Sequence, residues 1–338
     1  MRPIILDVEG YCLTPTEKEY LSHPLVAGVI LFTRNYDNIV QLKELVREIR
    51  LHATQQLIIA VDHEGGRVQR FRDGFTMLPA CGKLLSGTNS FSDTLRLAKA
   101  SGFVMASELI ACDIDLSFAP VLDIDGISDV IKDRAFSDDK LEVAQIASYY
   151  IDGMKQAGMA SCGKHFPGHG SVKADSHVAL PIDKRQPSEI FLNDMLPFEQ
   201  LIMADKLDAI MPSHVVYSEC DPLPCGFSEY WLQKVLKQKL GFKGAIISDD
   251  ISMHGASFMG NHLSRASSAI IAGCDFILAC NHPIAAMSII DGLQVPNKSS
   301  EVLISSLLAH KKNLALPLIR NNNWIENKRL LTEFAERV

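Results

Sequence analysis

LIIAVDHEGG, residues 57–66, runs through five apolar positions without a polar break, then turns at once to Asp62, His63 and Glu64 before a double glycine. A strand with one face in water alternates apolar and polar residues, so an unbroken run this rich in Ile is a strand covered on both faces. Seven more runs of the same kind stand at residues 3–7, 28–32, 115–119, 160–165, 207–211, 245–249 and 274–279, with helical segments between them. Eight such strands alternating with helices predict an α/β chain, a single (β/α)8 TIM-type barrel. An open doubly wound sheet is the alternative.

The helices between these runs carry readable ends. Thr14-Pro15-Thr16-Glu17 has the spacing of a capping box with proline in the first helical position. Residues 38–52 put Ile39, Leu42, Leu45, Val46 and Ile49 on one stripe, as a helix lying on a sheet requires. Ser228 can cap a helix that Gly241 stops, and Gly158 and Gly273 stop others. Beyond the eighth strand, residues 285–293, 299–312 and 324–337 read as helices. The chain is therefore expected to be one domain, 1–338, with 283–338 as a helical C-terminal extension.

With 338 residues, 47% of them hydrophobic and 22% charged, the chain has the composition of a soluble globular protein. A net charge of −7 and the lack of a Lys/Arg cluster argue against a nucleic-acid partner. No apolar run approaches the roughly 20 residues that span a bilayer, and the opening MRPIILDVEG lacks the pattern of a secretory signal. A cytoplasmic monomer is expected. The eight cysteines form no CxxC pair and several sit inside apolar runs, which reads as buried free thiols with neither a disulfide frame nor a zinc site.

In a barrel the active site gathers at the C-terminal strand ends. The residues that follow the apolar runs are Asp7 and Glu9; Arg34 and Asn35; Asp62, His63 and Glu64; Asp123; Lys164 and His165; His214; Asp249 and Asp250; Asn281 and His282. Structural ion pairs account for two or three polar ends, not for this many. Residues 163–177, GKHFPGHGSVKADSH, add His169, Lys173, Asp175 and His177 among three glycines and a proline, too polar for a core and too turn-rich for a helix. Carboxylates and guanidiniums converging on one pocket suit the hydroxyls of a sugar. The glycines of residues 61–71, VDHEGGRVQRF, match no phosphate-loop pattern, so no nucleotide cofactor is implied.

Sugar chemistry needs a nucleophile or base and an acid. Asp249 and Asp250 both end the seventh strand, and spacing alone does not separate them. His177 starts near a pKa of about 6.5 and needs little tuning to give up a proton near neutrality. Asp175, two residues earlier, can fix its tautomer. Gly168 and Gly170 would let the loop carrying both of them move as substrate binds.

KHFPGHG (164–170), ADSH (174–177), VDHEGGRVQRF, ILFTRN (30–35), SFAPVLD (117–123), AIMPSHV (209–215) and SDDISM (248–253) together resemble the bacterial β-N-acetylglucosaminidases of glycoside hydrolase family 3. The resemblance implies a (β/α)8 barrel acting on peptidoglycan fragments, with N-acetylglucosamine linked β-1,4 to 1,6-anhydro-N-acetylmuramic acid as substrate, with or without stem peptide. It assigns the nucleophile to Asp249 and the acid/base to His177 assisted by Asp175. It assigns sugar contacts to Asp62, Arg70, Arg134, Lys164 and His165; Arg134 otherwise reads as part of a solvated loop. His254 stands where close relatives often have Glu, and residues 178–181 are more apolar than usual, which bears on leaving-group preference and loop dynamics.

The expected reaction is a retaining hydrolysis without metal or cofactor. Three rivals remain. A His in place of a carboxylic acid removes a charge that would repel phosphate, which allows phosphorolysis. His165, His169, His177, His214 and Asp249 could serve a metal-dependent hydrolase, although the strand-end HxH signature is missing. A sugar-binding sensor would need the pocket but neither His177 nor Asp249.

Overall fold

The computed structural model describes residues 1–173, 180–296, 299–314 and 316–337. All eight apolar runs contribute strands: β1 (Ile4–Asp7), β2 (Val26–Leu31), β3 (Ile58–Val61), β4 (Leu116–Ser117), β5 (Cys162–Phe166), β6 (Ala209–Pro212), β7 (Ala245–Ile246) and β8 (Ile277–Ala279). One parallel sheet runs β8-β1-β2-β3-β4 and a second runs β7-β6-β5. Isolated parallel bridges, Val121 to Lys164 and Ile247 to Phe276, link the edges of the two sheets. The fold is thus α/β with parallel sheets.

The unbroken apolar runs have a physical cause. Ile5, Ala27, Ile58, Ala60, Leu116, Cys162, Met211, Ala245 and Leu278 form one buried cluster, joined by Ile304 and Leu307 of helix Glu301–Leu307. Their strand neighbours Ile4, Leu6, Val29, Ile59, Val61, Ile210 and Ile277 belong to a second cluster, shared with the surrounding helices. Each strand buries both faces, so no position is left for the polar half of an alternating pattern.

Helix ends follow the sequence closely. Thr14 and Glu17 form the capping box of Pro15–Leu21, and Asn38 caps Ile39–His52, which buries Leu42, Leu45, Val46 and Ile49. Ser228 Oγ accepts the Trp231 N–H at 3.1 Å at the start of Tyr230–Lys239, a helix wound with i to i+5 bonding. Gly158 and Gly273 end Lys140–Ala157 and His262–Ala272. The expected helix 299–312 stops early, at Leu307. Beyond it the Ala309 N–H donates to Asp115 Oδ1 (3.3 Å) and the His310 N–H to the Gly158 carbonyl (2.8 Å), so these donors serve neighbouring elements rather than a further helical turn. Helix Asn322–Ala335 buries Leu331 and Phe334 and packs on Phe91–Ile110. All eight cysteines are free; six are buried, Cys12 is exposed and Cys220 half-buried.

Candidate active site

Past the C-terminal ends of the strands lies a cavity of about 330 Å³ whose walls include Asp62, Arg70, Arg134, Lys164, His165 and Asp249. Six of the eight residues expected at the site therefore meet in one place, although they span 188 positions of the chain (249 − 62 + 1). Asp175 and His177 lie outside the described residues.

The wall next to β3 is built by a short antiparallel pair, His63–Gly65 with Val68–Gln69, which folds back across Gly65 and Gly66. Glu64 is buried there and takes the Arg134 guanidinium in a fork, at 2.9 and 2.8 Å, and the Lys164 ammonium at 2.7 Å. Lys164 also reaches Asp62 at 2.8 Å, and Arg70 approaches the other Asp62 oxygen at 3.3 Å. Burial opposes ionisation of both carboxyls. For Asp62 the charges of Lys164 and Arg70 outweigh it, and for Glu64 those of Arg134 and Lys164, so both stay below the ordinary carboxylate range. Burial likewise opposes the Lys164 charge, and Asp62 and Glu64 outweigh it, holding the ammonium protonated. Arg134 is no solvated loop residue, since its side chain is only 12% exposed. Arg70 lines the cavity, and its Nε is buried without a hydrogen-bond partner among the described residues.

Opposite stands the start of the polar loop. Lys164 and His165 are sequence neighbours that both line the cavity, and the peptide bond between them is cis. Asp123, fully buried six residues past β4, holds His165 Nδ1 at 2.7 Å and accepts the His169 N–H at 2.7 Å. Its carboxyl is held low because His165 and His169 outweigh the penalty of burial. Gly168 and Gly170 do not read as hinges. A Cβ on Gly168 would lie 2.6 Å from Asp194 Cβ, and one on Gly170 would lie 1.7 Å from the Ile124 carbonyl, so both are glycine because the chain packs too closely for a side chain. Asp194 also accepts Ser171 Oγ (2.8 Å) and Arg185 Nη1 (2.9 Å), and Arg185 grips Asp183 as well. One carboxylate thus ties together the chain before and after residues 174–179.

Asp249 and Asp250, equivalent by spacing, differ in their surroundings. Asp250 accepts the Ser252 N–H (2.9 Å) and hydroxyl (2.6 Å), the Cys280 N–H (3.3 Å) and Asn281 Nδ2 (3.2 Å), and burial pushes it up to about 6. It works as an anchor between the seventh and eighth strand ends. Asn281 in turn bonds Asp7 and Arg34, drawing the first two strand ends into the same rim. Two strand-end histidines are structural. His63 packs among Phe71 and Phe75, and burial beside Arg70 and Arg72 takes its pKa down to about 3. His214 stacks on Phe227 with rings 7° from parallel, and its Nε2 meets the Asp250 carbonyl. Among the described residues no three His, Cys, Asp or Glu side chains are grouped to hold a metal ion.

Glu64 and Asp123 hold the charged side chains around the cavity in place, and the sequence alone does not single out either of them. Both stood among the polar strand ends, but nothing in the sequence showed that Glu64 joins Lys164 to Arg134 or that Asp123 orients His165.

Residues 6–306 match the glycosyl hydrolase family 3 N terminal domain. A β-hexosaminidase of Psychromonas ingrahamii is 61% identical over 337 residues, covering all of both chains, and one of Haemophilus influenzae is 47% identical over all of this chain and 97% of its own. Among solved structures, native NagZ of Neisseria gonorrhoeae superposes with a TM-score of 0.91 at 40% identity, over 98% of this chain and 97% of its own. The same protein in complex with N-trifluoroacetyl-D-glucosamine gives 0.90 at 41% identity, over 98% of each chain.

Proposed function

This chain belongs to glycosyl hydrolase family 3 and acts as a β-N-acetylhexosaminidase, and from that premise we propose that it is a retaining exo-β-N-acetylglucosaminidase of peptidoglycan recycling. Its substrate is N-acetylglucosamine linked β-1,4 to 1,6-anhydro-N-acetylmuramic acid, with or without peptide, and it works as a monomer in the cytoplasm. The scaffold is one domain, a closed (β/α)8 barrel with residues 283–338 as a helical extension. The two bridges linking the sheet edges and the buried cluster shared by all eight strands support that closure.

The observation that carries the reading is the shared cavity: Asp249 lines the same wall as a cluster of charges suited to sugar hydroxyls. Lys164, Arg70 and Arg134 donate, Asp62 accepts, and His165 is oriented by Asp123. Charge-assisted bonds of this kind are stronger and more directional than neutral ones, so they fix the ring against Asp249. Asp249 attacks C1 to form a glycosyl-enzyme while His177, its tautomer set by Asp175, protonates the leaving oxygen. His177 then takes a proton from water, which attacks C1 and releases N-acetylglucosamine with its anomeric configuration retained. Asp250, spent on Ser252, Cys280 and Asn281, is the weaker candidate for attack.

The test combines the anhydro-disaccharide with a 5-fluoro-N-acetylglucosaminide that stalls the second step. Peptide mass spectrometry should find the label on Asp249, and an Asp249→Ala enzyme should lose turnover by about three powers of ten or more. A label on Asp250, or near-normal turnover by the variant, refutes the assignment. A 1-phosphate sugar as the main product in phosphate buffer refutes hydrolysis.

A further inference from the structure

One buried carboxylate that the proposed mechanism does not use joins three separate parts of the chain. Glu108, on helix Phe91–Ile110, is 7% exposed. Its Oε2 accepts the Thr76 N–H at 2.9 Å, and its Oε1 accepts both the Thr76 hydroxyl at 2.5 Å and the Trp324 indole N–H at 3.1 Å. Trp324 belongs to helix Asn322–Ala335, whose start is capped by Asn321. Thr76 belongs to the segment that follows the cavity's β3 wall.

From Thr76 the connection runs back to the cavity. The Gln69 amide donates to the Thr76 carbonyl at 2.9 Å and to the Phe71 carbonyl at 3.0 Å, while its oxygen accepts the Leu78 N–H at 2.9 Å. Residues 69–78 are thereby drawn into one cross-tied loop. Arg70 sits between Gln69 and Phe71 and extends from that loop to Asp62. The aromatic rings of Phe71 and Phe75 brace the loop against His63. These bonds, with the charge of Lys328 from the same C-terminal helix as Trp324, account for a carboxylate at position 108, because a helix face packed on apolar neighbours would otherwise favour an apolar residue there.

We propose that Glu108 is a positioning residue for substrate binding: by holding Thr76, and through it Gln69, it fixes the backbone from which Arg70 meets the sugar, and Trp324 makes the C-terminal helix part of that support. The proposal rests on Arg70 being a sugar contact. Its consequence is that the C-terminal helix tunes affinity for the sugar without touching it.

The full-length chain tests it with Glu108→Gln, Trp324→Phe and Arg70→Gln, measuring kcat and KM on an aryl N-acetylglucosaminide, the Ki of free N-acetylglucosamine, and Tm. Glu108→Gln keeps the shape but turns its NH2 toward either the Thr76 N–H or the Trp324 indole N–H, a donor that then loses its acceptor. Trp324→Phe keeps an aromatic ring and removes the indole N–H. Each loses about one hydrogen bond's worth of positioning, so KM and Ki should rise together by roughly fivefold in Glu108→Gln and by less in Trp324→Phe. Values of kcat should stay within about twofold. A lowered Tm with unchanged KM and Ki in both refutes the proposal alone, leaving Glu108 as a structural bolt. An unchanged Ki in Arg70→Gln refutes the sugar-contact reading and this proposal with it. Trp324→Phe remains informative if Glu108→Gln does not fold.

Discussion

Replacing Glu64 by Gln should cost this enzyme more than its distance from the reacting bond suggests. The carboxylate is 3% exposed and stands between two buried cations, Lys164 at 2.7 Å and Arg134 at 2.8 and 2.9 Å. Gln keeps the volume and one acceptor but turns an N–H₂ toward a cation. Lys164 retains Asp62 at 2.8 Å, whereas Arg134 retains the Val130 carbonyl at 3.2 Å, a neutral acceptor. Breaking a buried ion pair from one side costs about 3–5 kcal/mol, and the surviving Lys164–Asp62 contact argues for the lower end. If the site bears all of about 3 kcal/mol, kcat/KM falls by roughly two powers of ten, since each 1.4 kcal/mol is tenfold. If the fold shares it, a lowered Tm makes up the difference. Steady-state kinetics on an aryl N-acetylglucosaminide, with thermal unfolding of the same preparations, measures both. A variant within threefold of wild type in kcat/KM and with unchanged Tm would mean that Glu64 does not organise the two cations, and the electrostatic account of the cavity would fail.

Burial keeps His63 neutral in the folded state, with its pKa at about 3 against about 6.5 when unfolded. The unfolded chain therefore binds the extra proton as pH falls from 6.5 toward 3, stability is lost across that window, and by pH 5 the loss is about 2 kcal/mol. His63→Phe, which suits the surrounding Phe71 and Phe75, should flatten the decline; unfolding curves that stay parallel to wild type between pH 8 and 5 would contradict it. Asp62 and Glu64, with pKa values held low, contribute stability that is complete above their unfolded values and falls away only at more acid pH, and on the proposed reading of the cavity sugar affinity follows the same course. The Ki of N-acetylglucosamine should accordingly show no inflection from Asp62 or Glu64 between pH 5.5 and 8, and a carboxylate-like inflection abolished by substitution at either residue would overturn that. Asp194→Ala releases Ser171 from Arg185 and should slow the disaccharide, whose leaving oxygen needs a proton, by about tenfold or more. A dinitrophenyl glycoside, which needs none, should change little; equal losses on both substrates would separate Asp194 from proton transfer.

Much of the fold was readable because its signal is local. Burying a strand on both faces forces an unbroken apolar run, and Thr14–Glu17, Asn38 and Gly158 mark helix ends within a few residues of the bonds they make. Helix 299–312 was overextended because what ends it, Asp115 accepting the Ala309 N–H, lies 194 residues away. The site was legible as an inventory but not as a set of pairs. Arg134 looked solvated because the fork that buries it comes from Glu64, 70 residues earlier. Gly168 and Gly170 looked like hinges because a missing side chain serves mobility and close approach equally well, and only the positions of Asp194 and Ile124 distinguish the two.

The same reasoning explains why Asp249 and Asp250 could not be separated by spacing. Adjacent carboxylates at one strand end have the same composition and reach, and what divides them is which donors the fold supplies. Ser252 is a local donor, two residues on, but Cys280 and Asn281 come from the end of β8, where the bridge from Ile247 to Phe276 brings it alongside. Asp250 is thereby committed to holding two strand ends together. Asp249 is bonded as well, accepting the Asp250 N–H at 2.8 Å, but Asp250 joins two strand ends and cannot move toward a sugar carbon without parting them, which favours Asp249 for the chemistry.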